Sequence, residues 1–185
     1  MDWQRILRTL ERDKEWDTAI EFMQEVVRND PDSMDAYIAM NYLLMNLLVE
    51  EDYDKSKHNY YEMLTKKYFD ESYQKFSNNP EYLYYTGRTA AMSEWFFGID
   101  IEEAEAMIER SLVLDPNNLI YQWIHYGPLG RKNPDNSSVI AYAEKVLDKD
   151  SFIQKTLQQK GAIGDCLLGM MTNWASKVIT KYPYR

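Results

Sequence analysis

Two histidines, one cysteine and two short carboxylate runs carry most of the reactive side-chain chemistry of this chain. His58 lies in KSKHNYYE and His125 in YQWIHYG, and no His–His or Cys–Cys spacing suits zinc. His58 therefore reads as a solvated residue and His125 as the filler of a half-buried helical position. Cys166 falls on an apolar stripe, where it behaves as a small hydrophobe, and a lone cysteine cannot form an internal disulfide. The runs VEEDYD, 49–54, and DIEEAE, 100–105, would be cation sites or acid–base pairs only with a different layout. A calcium loop needs oxygen ligands alternating about a glycine, and neither run has one. Both read as solvated helix ends. The sequence also contains no glycine-rich loop followed by Lys, no Gly-x-Ser-x-Gly elbow and no dinucleotide fingerprint. The expectation is a non-enzymatic protein without cofactor or metal.

The elements that would position these groups are helices. Only 7 glycines and 6 prolines punctuate 185 residues, and apolar side chains recur every third and fourth position. Trp3, Ile6, Leu7 and Leu10 form one stripe, and Trp16, Ala19, Ile20, Met23, Val26 and Val27 form the next. A tight turn at RDKE joins them, and Asp30-Pro31 ends the second, because proline disfavours α geometry in the residue before it. Further helices are predicted from Tyr37, after Pro80, over 101–114 with Asp100 as N-cap, and over 137–149, 151–160 and 162–181. The segment 127–138 is the least regular loop.

Charge narrows the partner. Thirty acidic and 21 basic residues leave a net charge of −9, which repels nucleic-acid phosphates and anionic membranes and attracts a cationic protein. The asymmetry is internal: residues 1–130 carry −13 and residues 131–185 carry +4. No run approaches the length of a membrane span, and MDWQRILRTLERD is not a signal peptide, so the expected location is the cytoplasm.

The spacing of Trp16, Ala19, Met23, Val26 and Pro31 resembles the second helix of the tetratricopeptide repeat, and Ile101, Ala104, Ile108, Ser111 and Pro116 repeat it. Trp3, Ile6 and Leu10 suit one first helix. Leu83, Gly87 and Ala90 suit another, with an insertion around EWFFG. The resemblance implies an all-α, right-handed helical-hairpin solenoid forming one domain, with repeat-like units over 1–33 and 80–118 and an irregular unit over 34–79. Segment 137–181 then forms the C-terminal helical cap, with helix 162–181 covering the apolar end of the solenoid.

The resemblance further implies a groove lined from the first helices by Arg8, Glu11, Ile38, Tyr42, Met45, Tyr84 and Arg88. Gln4, Arg8, Ala39, Glu81 and Tyr85 occupy the positions where carboxylate-clamp co-chaperones carry Lys and Asn, so that clamp is absent. Fifteen tyrosines, among them Tyr68, Tyr73, Tyr82, Tyr84 and Tyr85, supply large contact area with a polar end. A second candidate surface is acidic: Glu50, Glu51, Asp52 and Asp54 with Glu102, Glu103 and Glu105. The function expected is protein–protein interaction with a folded, basic partner, as in an immunity protein that neutralises a toxin. The alternative is a secretion or assembly chaperone or adaptor that holds a client peptide in its groove. The oligomeric state stays open.

Overall fold

Apolar spacing of three and four with few glycines yields helix throughout. The computed structural model describes residues 3–127 and 134–181, and in them the chain is all-α, with eleven α-helices, one 3-10 turn and no strand. It divides into two compact units, one up to Leu114 and one from Asp115.

In the first unit, α1 (Trp3–Arg12) and α2 (Trp16–Asn29) meet at a turn where Lys14 takes a φ of 57°. Asp30, before Pro31, ends α2 as the sequence predicts. α3 (Met34–Glu50) and α4 (His58–Phe76) are the long pair over the irregular stretch, joined through a 3-10 turn at Lys55–Lys57. α5 (Pro80–Ala90) starts at its proline, and the Asn79 side chain accepts from the Glu81 and Tyr82 backbone N–H groups at 2.8 and 3.2 Å. The EWFFG stretch forms the short α6 (Glu94–Phe97), and α7 is Ile101–Leu114. Asp100 caps α7 through the Glu103 N–H at 2.8 Å, and Glu103 reaches back to the Asp100 N–H at 3.0 Å, a reciprocal capping box.

The core of this unit runs through α1 to α4, and α5 packs on both α3 and α7. Ala19, Met23, Leu43, Leu44 and Ala104 are fully buried; each large side chain among them contributes roughly 1.5–3 kcal/mol by leaving water. Small residues mark the close approaches. A Cβ on Gly87 of α5 would lie 3.0 Å from Ile108 and Met107 and 3.1 Å from the Ala104 carbonyl oxygen of α7. One polar network crosses the core: Ser72 meets the Tyr82 hydroxyl at 2.7 Å and accepts from the Asn41 amide at 3.2 Å, while itself donating to the Tyr68 carbonyl at 2.7 Å.

The second unit comprises α8 (Trp123–Tyr126), α9 (Asn136–Leu147), α10 (Phe152–Gln158) and α11 (Gly161–Lys181). Asp135 caps α9 through the Ser138 N–H at 2.9 Å, and bonds from Ser137 and Ser138 hold its carboxyl well below the usual range. α11 packs on α9 and α10 and buries Ile163, Leu167, Met171 and Ala175. A Cβ on Gly164 would meet the Leu157 carbonyl oxygen of α10 at 1.9 Å, so glycine is required at that crossing. Of the expected loop 127–138, residues 128–133 lie outside the described residues. No helix among the described residues is long and apolar enough to cross a membrane.

Candidate interaction surface

The link between α3 and α4 is short, acidic and fastened on all sides. Asp54 accepts from the Ser56 N–H at 3.0 Å and so starts the 3-10 turn, and the Ser56 side chain, followed by this N–H, lowers its carboxyl pKa. Glu51 receives Lys14 at 3.0 Å. Lys57 donates to Asp17 of α2 at 2.6 Å, and Tyr61 of α4 donates to the other oxygen of Asp17 at 2.6 Å. These bonds, Lys57 first, depress the Asp17 pKa, whereas burial and then Asp17 raise that of Tyr61. Glu50 and Asp52 remain exposed between these anchors.

Tyr53, in the middle of this acidic link, enters a continuous chain of rings. It stacks on His58 at 6.2 Å and meets Tyr61 edge-on at 5.5 Å, and its hydroxyl lies 2.5 Å from His58 Nδ1. His58 in turn meets Phe96 edge-on at 6.0 Å, Phe96 contacts Trp95 at 5.4 Å, and Tyr61 contacts Tyr60 at 5.8 Å. The chain ends in solvent on both sides, with Trp95 62% and Tyr60 45% exposed. Met63, one turn beyond Tyr60 on the same face of α4, is 57% exposed. Glu62 Oε1 stands 3.3 Å from His58 Nε2. Because a carboxylate only accepts, neutral His58 carries its proton on Nε2 and receives the Tyr53 hydroxyl on Nδ1. His58 is thus a half-buried joint that ties the acidic link to α4 and α6, and the sequence reading of it as merely solvated is corrected.

The other sequence candidates separate into two groups. The residues expected to line a groove are not presented to solvent as large side chains: Tyr42 is 7%, Met45 2%, Ile38 2% and Tyr84 1% exposed. They are packing residues, and burial pushes the Tyr84 hydroxyl up to about 12. Arg8 is exposed on α1, Glu11 half-buried on α1 and Arg88 half-buried on α5. Tyr68, Tyr82 and Tyr85 are buried as well, and of the five tyrosines singled out only Tyr73 is exposed. In the acidic set, Glu50, Asp52, Glu102 and Glu103 are exposed, while Glu51 and Glu105 are half-buried. Glu103 is committed to the capping box.

Trp95, Tyr60, Tyr53 and His58 are what sequence reasoning missed. The sign was present in EWFF, whose three consecutive aromatics exceed what one helical face can bury. Phe97 is fully buried, Phe96 half-buried and Trp95 left outside. No group of three or more His, Cys, Asp or Glu that could hold a metal ion occurs among the described residues. No protein-family model matches the chain, and no curated protein or solved structure matches it either.

Proposed function

We propose that this chain is a non-enzymatic interaction module that binds a folded, basic protein through the aromatic chain from Trp95 to Tyr60 and the acidic link 50–54 beside it. One observation carries this reading: two large exposed aromatics are joined by rings to an acidic segment held in place through Glu51, Tyr53 and Asp54. Interfaces draw most of their affinity from such aromatic anchors, and carboxylates around them accelerate encounter with a cationic partner. Fastening the link before binding lowers the ordering cost of association. Glu102, Glu103 and Glu105 extend the negative field. We further read the helices of the first unit as a tetratricopeptide-like solenoid, on the residue spacing of 15–33 and 100–116 and the close approach of Gly87 to α7. A single cysteine fits a cytoplasmic setting. An immunity protein that neutralises a cationic toxin is a member of this functional class.

The client-holding groove has less support, since Tyr42, Met45 and Tyr84 are buried. The test is affinity capture from the native host with the wild-type chain, Trp95→Ala, and a variant with Glu50, Asp52 and Asp54 changed to Lys. A basic protein retained by the wild type and lost from both variants supports the reading; retention by all three refutes it.

A further inference from the structure

A cleft of about 400 Å³ opens between α2 and α4 in the first unit, lined by Gln24, Val27, Arg28, Pro31, Tyr37, Lys67, Tyr68 and Glu71. Gln24, Val27 and Arg28 share a face of α2, and Lys67, Tyr68 and Glu71 stand on one side of α4. The floor is two phenol rings, Tyr37 at 2% and Tyr68 at 5% exposure, tilted to each other with centroids 6.3 Å apart. Neither ring is a bystander. Tyr37 donates its hydroxyl to Glu71 at 3.4 Å, and the Tyr68 hydroxyl pairs with the Gln24 side chain and feels the charge of Arg28. Burial, then Glu71, pushes the Tyr37 hydroxyl up to about 12, so it remains a donor at neutral pH.

The charge of this cleft is opposite to that of the molecule. Arg28 stands on one wall and Lys67 on the other, with Lys67 3.9 Å from Glu71 and 5.0 Å from the Tyr68 ring. Lys75 adds a third cation at the mouth, where it donates to the Pro31 carbonyl and lies 3.6 Å from Asp32. Arg28 makes no ion pair among the described residues. A guanidinium, an ammonium, two phenols and an amide therefore line one cleft, opposed by Glu71 inside it and by Asp32 at its mouth. A chain of net charge −9 has no general attraction for anions, so local convergence of donors is a specific arrangement.

We infer that this cleft binds a compact oxyanion, the phosphate or carboxylate group of a small ligand, with Arg28 and Lys67 as its clamp and Glu71 as the charge that limits its affinity. Arg28 suits the role because its planar fork matches two oxygens at once. The cleft is separate in its residues from the aromatic and acidic surface above, and the inference stands without it.

Amide and Arg side-chain NMR shifts of the full chain, titrated with inorganic phosphate and separately with acetate against chloride at equal ionic strength, test the assignment. Saturable shifts confined to the cleft are expected with one or both oxyanions and not with chloride; which of the two binds names the source. Arg28→Gln should weaken binding by roughly tenfold or more, since a hydrogen bond to a charged group is lost, and Lys67→Gln serves the same purpose should that variant not fold. Glu71→Gln should tighten binding, and Lys145→Gln, exposed in the second unit, should leave it unchanged. No saturable shift with either oxyanion, equal weakening by Arg28→Gln and Lys145→Gln, or weaker binding in Glu71→Gln would each overturn it.

Discussion

Gly87 of α5 faces Ala104 of α7 across a gap that leaves little room for another carbon: a Cβ at position 87 would stand 3.1 Å from the Ala104 carbonyl oxygen. A backbone oxygen cannot swing aside as a flexible side chain does. Gly87→Val and Ala104→Trp should therefore force α5 and α7 apart and each cost roughly 1–3 kcal/mol or more by overpacking. Urea denaturation followed by circular dichroism measures this, and unchanged midpoints in both variants would mean that the two helices do not pack as described.

Asp17 predicts a pH window. Its folded pKa is depressed below the ordinary 3.8 by Lys57 and Tyr61, so the stability it contributes is complete above that value and lost as pH falls through the lower, folded one. Tyr61 has a raised pKa, so its share is complete below the ordinary 10.0 and lost as pH rises beyond it. The stability difference between wild type and Asp17→Asn should be flat over roughly pH 5 to 9 and shrink in acid. A difference that stays constant down to roughly pH 2 would exclude the ionised contact.

The core network around Ser72 makes an asymmetric prediction. Tyr82→Phe removes the hydroxyl that meets Ser72 at 2.7 Å and should cost about 1 kcal/mol. Asn41 is fully buried, and its carbonyl oxygen has no hydrogen-bond partner among the described residues. Asn41→Leu exchanges that costly group for an apolar one of similar size and should cost less than Tyr82→Phe. Equilibrium unfolding of the two variants decides the order.

Removing α11 should leave Tyr142, Ala143 and Val146 of α9 and Ile153 and Leu157 of α10 without their cover. A chain ending at Lys160 is expected to aggregate, and size-exclusion chromatography would show it. A monodisperse product with intact α9 and α10 would contradict the packing role.

Partner kinetics should split by residue class. Changing Glu50, Asp52 and Asp54 to Lys should slow association, with an effect that fades as salt rises, because exposed charges act over about 8 Å at physiological ionic strength. Trp95→Ala and Tyr60→Ala should instead raise the off-rate, through loss of roughly 1–2 kcal/mol or more where either ring is an anchor. Tyr42→Ala and Tyr84→Ala, in contrast, should lower the melting temperature, as both are buried. Surface plasmon resonance with the captured partner separates these outcomes.

The sequence by itself determined the helices and their ends, because those depend on contacts within a few residues. Pro31 and Pro80, the Asp100–Glu103 box and the three-and-four spacing act locally, so α2, α5 and α7 fall where the pattern places them. It also marked Ala19 and Ala104 as close-packing positions, since a small side chain amid bulky neighbours has a packing cause at any register. Exposure was decided only by the tertiary structure. Tyr42, Met45 and Tyr84 belong to the same residue class as Tyr60 and Trp95, and nothing within one helix says which of them another helix will cover. α3 meets α2, α4 and α5 and buries nearly its whole circumference, whereas α4 is left with a free face at Tyr60 and Met63. The same holds for His58 and for the α2–α4 cleft: Tyr53 with His58 is near in sequence but needs the turn at 55–57, and Arg28 with Lys67 is brought together only by helix packing. Residue types set what each group can do, and long-range burial sets which groups meet.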